Sequence, residues 1–181
     1  MPFSIEPDQD EEMENEGKMP KFCMAHLCKS FLEKHNTFKV HSFDTQGLLD
    51  DFKVKQRRIY DLMNILEGCG SVQKISKGKY KWLGLQESFF PGPEDQKGDL
   101  TSLRNISSAL KVIIFESEKP LSFLELNGTL IAEKNSKLIN PTSLRRRTYE
   151  CCKVFTILGY VEKVGSHYVW TANKDRESMN L

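Results

Sequence analysis

The stretch Lys55-Gln56-Arg57-Arg58-Ile59-Tyr60-Asp61 returns, altered, 89 residues later as Leu144-Arg145-Arg146-Arg147-Thr148-Tyr149-Glu150. The sequence downstream returns as well. Val72, Lys74, Tyr80 and Trp82 are answered by Val161, Lys163, Tyr168 and Trp170, after a one-residue deletion between the two halves of that set. Internal repetition decides architecture before any local reading. Two copies are too few for a solenoid, so the chain reads as a tandem of two small domains, each with an arginine pair near the start of a helix.

Working outward, each copy sits in the same succession of patterns. In the first, Met24, Leu27, Cys28, Phe31 and Leu32 recur at helical spacing. A second helix starts after Ser42 or Asp44 and carries Leu48, Leu49 and Phe52. A third runs from about Val54 to Glu67 with Ile59, Leu62, Met63 and Leu66 as its apolar stripe, ended by Gly68 and Gly70. Residues 71–76 and 79–83 then read as a hairpin turning through Lys77-Gly78. In the second copy Leu103, Ile106, Leu110, Ile113 and Ile114 mark a first helix. A second spans Leu121 to about Ile131, weakened by Asn127-Gly128, and Pro141 opens a third. Residues 160–164 and 167–171 give another hairpin, turning through Gly165-Ser166. Three helices followed by a hairpin is the winged-helix plan, a variant of helix-turn-helix, and the fold class is α+β.

The expected organisation is a disordered acidic tail (1–19), a first winged-helix domain (20–85), a linker (86–98), a second winged-helix domain (99–172) and a polar tail (173–181). Phe89 and Phe90 are out of place in the linker and are expected to pack on one of the domains.

Charge is uneven. Residues 1–17 hold seven carboxylates (Glu6, Asp8, Asp10, Glu11, Glu12, Glu14, Glu16) and no Lys or Arg. Of 25 acidic residues 18 therefore remain against 26 basic ones, a net of +8 behind an overall charge of +1. A basic body with an acidic arm fits a polyanion binder, and equally a solvated terminus beside an ordinary surface. No apolar run approaches the ~18 residues of a membrane span, and nothing at the N-terminus reads as a secretion signal. Five cysteines without a CxxC pair point to reduced thiols in an intracellular protein.

In helix-turn-helix modules, residues near the start of the second helix of the pair enter the DNA major groove. An arginine there can donate two parallel hydrogen bonds to guanine O6 and N7. Arg57 and Arg58 lie off the stripe headed by Ile59, as Arg146 and Arg147 lie off Thr148, so both pairs are expected to point outward. The bland reading is a surface arginine paired with the acid one turn on, Asp61 or Glu150, worth only ~0.3–0.5 kcal/mol. Repetition of arginines, tyrosine and acid in one register shifts the balance toward groove reading.

Arg57-Arg58-Ile59-Tyr60-Asp61, followed by Asn64-Ile65-Leu66-Glu67-Gly68 and by Lys81-Trp82 after the hairpin, resembles the DNA-binding domain of the E-two-F/DP transcription factors. That family uses a winged helix whose Arg-Arg-x-Tyr-Asp signature reads a short GC-rich core in cell-cycle promoters. Residues 20–84 carry the full pattern. Residues 99–172 depart from it, with Glu150 for the aspartate and a longer approach, 133–141, features nearer the DP side. Family members ordinarily heterodimerise, and atypical ones carry tandem domains. The resemblance therefore implies one chain acting as its own dimer on double-stranded DNA in the nucleus.

Carried onto this sequence, the resemblance makes Arg57, Arg58, Arg146 and Arg147 the guanine contacts. Tyr60 and Tyr149 support the helix, Asp61 and Glu150 orient arginines, and Lys55 and Arg145 touch phosphates. Lys77, Lys79 and Lys81 in the first wing, and Lys163 and His167 in the second, are lesser candidates. The 181 residues hold no candidate for the family's coiled coil or transactivation region, so repression, with a corepressor as partner, is expected over activation.

Other constellations read as structural. Cys23, His26, Cys28 and His35 match no common zinc spacing. Cys151 and Cys152 fall on a buried stripe, and Tyr80/Trp82 and Tyr168/Trp170 alternate toward a core. No cofactor, no metal and no enzymatic activity is expected. Two alternatives stay open: a protein-interaction module whose arginines dock acidic partners, and a chain in which only the first domain reads DNA while the second is structural.

Overall fold

The computed structural model describes residues 23–37, 39–85, 100–134 and 140–171. The first unit runs α1 (Met24–His35), β1 (His41–Asp44), α2 (Thr45–Phe52), α3 (Gln56–Gly68), β2 (Val72–Ser76) and β3 (Lys79–Trp82). The second repeats that order as α4 (Leu103–Glu116), β4 (Leu121–Ser122), α5 (Phe123–Lys134), α6 (Pro141–Leu158), β5 (Val161–Val164) and β6 (His167–Trp170). The acidic segment, the linker with Phe89 and Phe90, and the polar tail lie outside the described residues.

The elements start and stop for local reasons. Asp44 Oδ1 accepts from the Gly47 N–H at 2.7 Å and caps α2. Lys53, in the left-handed region at φ 52°, ends it. Asn140 Oδ1 accepts from the N–H groups of Thr142 and Ser143 at 2.9 and 3.3 Å, with Pro141 at the first helical position of α6. At α5 the Glu125 carboxylate accepts from the Ser122 N–H at 2.7 Å, while Ser122 Oγ accepts from the Glu125 N–H at 3.2 Å. This reciprocal capping box, together with Lys119, holds the Glu125 carboxyl down at about 2.

Two expectations need correction. The wing is three-stranded in each unit, ordered β1-β3-β2 and β4-β6-β5, all antiparallel. Ser42 and Asp44 therefore lie in a strand, with α2 beginning only after Asp44, and Leu121 belongs to β4 rather than to a helix. Strands of four and two residues give too short an alternation to read.

The helix stripes are buried as their spacing predicts: Ile59, Leu62, Met63 and Leu66 are fully covered, as are Cys28, Cys151 and Cys152. Tyr80, Trp82, Tyr168 and Trp170 are also buried, and Trp82 donates its indole N–H to the Thr37 carbonyl at 3.2 Å.

One hydrophobic cluster extends from Met24 to Trp170 through both units. Each unit's first helix packs on the other's third: α4 on α3, and α1 on α6. Ser71 and Tyr160, equivalent positions of the repeat, meet in a buried 2.7 Å hydrogen bond. A contact between equivalent positions lies on the axis of an approximate two-fold arrangement. Nearby, Ser107 Oγ donates to the Ile65 carbonyl (2.8 Å) and the buried Lys111 Nζ to the Cys69 carbonyl (3.3 Å). The second unit thus satisfies carbonyls that α3 leaves open at its end, with a cation at the negative pole of the helix.

Candidate nucleic-acid interface

After Lys53 the chain stays extended through Lys55, the N-cap of α3. This places the first turn of α3 at the surface, with the stripe behind it anchored in the core. Lys55, Arg57, Arg58, Asp61 and Asn64 line one side of a cleft of about 460 Å³. Ser143, Arg146, Arg147 and Glu150 of α6 line another, and Thr101, Ser102 and Leu103 at the start of α4 complete it. Five cations and two carboxylates, drawn from both units, converge on this cleft.

Within each pair the arginines differ. Arg57 and Arg146 are exposed. Arg58 is half-buried, contrary to its expected outward course, and donates through Nη1 to Glu150 Oε1 at 2.8 Å. The same nitrogen lies 3.7 Å from Asp61 Oδ2, the expected one-turn pairing. Arg147 is also only partly exposed, and its Nη1 donates to the Thr101 carbonyl at 2.7 Å. Burial pushes the Asp61 carboxyl up, with Glu150 adding to the effect and Arg58, Arg57 and Arg147 opposing it. The two acids therefore share one guanidinium across the units.

The remaining expected residues fall outside this cleft. Tyr60 is half-buried. Tyr149 packs edge-on against Phe123, ring centroids 5.9 Å apart, with Lys153 Nζ 4.6 Å from its ring centre. Arg145 lies over the Phe123 ring at 5.9 Å. In the wings Lys77, Lys79, Lys163 and His167 are exposed and Lys81 is half-buried. Sequence reasoning missed Asn64 and Ser143, although helical spacing puts Asn64 on the face of Arg57 and Asp61 and Ser143 on that of Arg146 and Glu150. It also missed Thr101 and Ser102, which reach the cleft only through inter-unit packing.

The thiols fit a packing role. All five cysteines are free, and burial pushes Cys28 and Cys152 up to about 12, so they stay protonated and unreactive. Among the described residues no cluster of His, Cys, Asp and Glu could hold a metal ion, and no helix is long and apolar enough to cross a membrane.

Helices capped by a three-stranded wing, with a stripe-anchored third helix presenting arginines at its first turn, define a winged-helix protein. Residues 22–84 belong to the E-two-F/DP family, matching its winged-helix DNA-binding domain. The chain is 28% identical over 109 residues to the human transcription factor E2F6, covering 58% of this chain and 39% of that protein. It is 34% identical over 86 residues to zebrafish (Danio rerio) E2F8, covering 45% and 9%, and 37% identical over 92 residues to human E2F2, covering 49% and 21%. The chain thus spans less than two thirds of the length of the curated relatives it matches.

Proposed function

We propose that this chain is a sequence-specific, double-stranded DNA-binding transcription regulator that reads a GC-rich promoter element as an intramolecular pseudo-dimer. On this reading it is a nuclear repressor of cell-cycle genes, with a corepressor as a further partner. The observation that carries the reading is the convergence of Arg57 and Arg58 from α3 with Arg146 and Arg147 from α6 on one cleft. Two recognition helices held at a fixed separation suit two half-sites of a near-palindrome. The exposed Arg57 and Arg146 have the freedom to form paired bonds to guanine O6 and N7, while Lys55 adds a salt-sensitive phosphate contact.

The test is a competition between a GC-rich duplex and its scrambled counterpart. Changing Arg57→Ala and Arg146→Ala together should cut the preference by roughly tenfold or more per arginine. Sedimentation should find one chain per duplex. Undiminished preference in the double variant removes groove reading, and two chains per duplex removes the pseudo-dimer. A second reading, in which the first unit carries most of the base recognition, draws on one observation: Arg147 already spends a donor on the Thr101 carbonyl. Under that reading Arg146→Ala alone changes preference far less than Arg57→Ala alone.

A further inference from the structure

We infer that Glu150, in the second unit, is a positioning residue for base reading by Arg58 in the first, an inference that rests on the DNA-reading function proposed above. The bond between them joins residues 92 apart in sequence at 2.8 Å. Both side chains are largely withdrawn from water, Arg58 at 26% and Glu150 at 16% exposure. A charge-assisted bond in such surroundings is stronger than a surface pair. Asp61, on Arg58's own helix, stands further off at 3.7 Å. The nearer partner, and so the stronger restraint on the guanidinium, comes from the other unit.

A guanidinium offers five N–H donors in a rigid fork. Glu150 takes one from Nη1, and the donors left suffice for the two parallel bonds that a guanine edge accepts. An arginine already fixed by a carboxylate loses less rotamer freedom when it docks, so its discrimination among bases is sharper. The two-fold counterpart of this pair is Arg147 with Asp61. There the arginine is drawn instead to the Thr101 carbonyl at 2.7 Å. Support therefore passes mainly one way, from the acid of the second unit to the arginine of the first. Base preference in one half-site then depends on a residue of the unit that occupies the other.

The isosteric Glu150→Gln variant tests this. The probe is a GC-rich duplex selected from a random pool, with each core guanine replaced in turn, alongside a scrambled duplex. Discrimination at the guanine read by Arg58 should fall about tenfold, the difference between a charge-assisted and a neutral hydrogen bond. Affinity for the scrambled duplex should hold or rise, because a negative charge has left a surface that faces phosphates. Glu150→Asp, which keeps the charge, should recover part of the loss. In Arg58→Ala, adding Glu150→Gln should cost no further discrimination.

A uniform loss on all duplexes marks a merely structural role and overturns the inference, as does unchanged discrimination at every position. The Arg57→Ala, Arg146→Ala protein separates the levels. If that protein loses preference while Glu150→Gln keeps it, positioning alone fails. If neither loses preference, the DNA reading itself has failed.

Discussion

Arg57 and Arg58 are neighbours in the chain, yet an α-helix turns their side chains about 100° apart. One faces solvent and the other is drawn between two carboxylates. The repeated motif made the pair legible as a site. Which arginine is free was not legible, because Glu150 reaches Arg58 only through the packing of the two units. His35 shows the same limit: its sequence context left it an ordinary helix residue, whereas folding buries it. Its ring stacks on Phe31 at 4.7 Å and its Nδ1 meets His41 Nε2 at 3.0 Å, while its buried Nε2 has no hydrogen-bond partner among the described residues. Burial, followed by His41 and Lys34, lowers its pKa from 6.5 to about 4, with Asp51 opposing. A depressed folded-state value means the unfolded chain takes up protons first. Stability is therefore retained above about 6.5 and is lost as pH falls toward 4, by on the order of 2 kcal/mol. Thermal unfolding between about pH 8 and 4 should show that decline. In His35→Gln the slope between 6.5 and about 4 should flatten, and an unchanged slope would assign the decline to other groups.

At the scale of elements, the long periodic helices were readable because a buried stripe of four or five residues is a strong signal, as in α1 and α3. The strands β1 and β4 were not, since four and two residues carry almost no period, and each is held by pairing to a strand distant in sequence. Glycines add a second kind of information that sequence alone hides. Gly68 and Gly128 both lie inside helices, where replacement by alanine ordinarily gains up to about 1 kcal/mol. At Gly128 an added Cβ meets nothing within 4 Å, so Gly128→Ala should stabilise the protein by that amount. At Gly68 the same atom would stand 2.3 Å from the Arg104 carbonyl oxygen and 2.7 Å from Ser107 Cβ. Backbone cannot step aside as a flexible side chain can. Overpacking there costs about 1–3 kcal/mol or more, which outweighs the propensity gain. Denaturant unfolding of the two variants should move their midpoints in opposite directions. Movement in the same direction would mean that α3 and α4 are not in close backbone contact.

For the molecule as a whole, the repeat pointed to two units but could not show that they share a core. Ile65 and Cys69 give their carbonyls to Ser107 and Lys111, Ser71 gives its hydroxyl to Tyr160, and Gly68 lies against α4. These groups are buried by the second unit. Ending the chain at Leu85 would therefore expose the apolar back of α3 and α1, and strip the partners from the last turn of the very helix that carries Arg57 and Arg58. A unit of this size has little stability in reserve. Residues 1–85 should lack the cooperative thermal transition and near-ultraviolet circular dichroism of the intact chain, and loss of DNA binding in that fragment would report unfolding as much as a missing half-site contact. Point changes at Arg146 and Glu150 in the full chain are the cleaner measure of what the second unit does for recognition. If the fragment instead melts cooperatively at the temperature of the intact chain, the inter-unit bonds contribute nothing to the first unit, and the rigid spacing of the two recognition helices loses its physical basis.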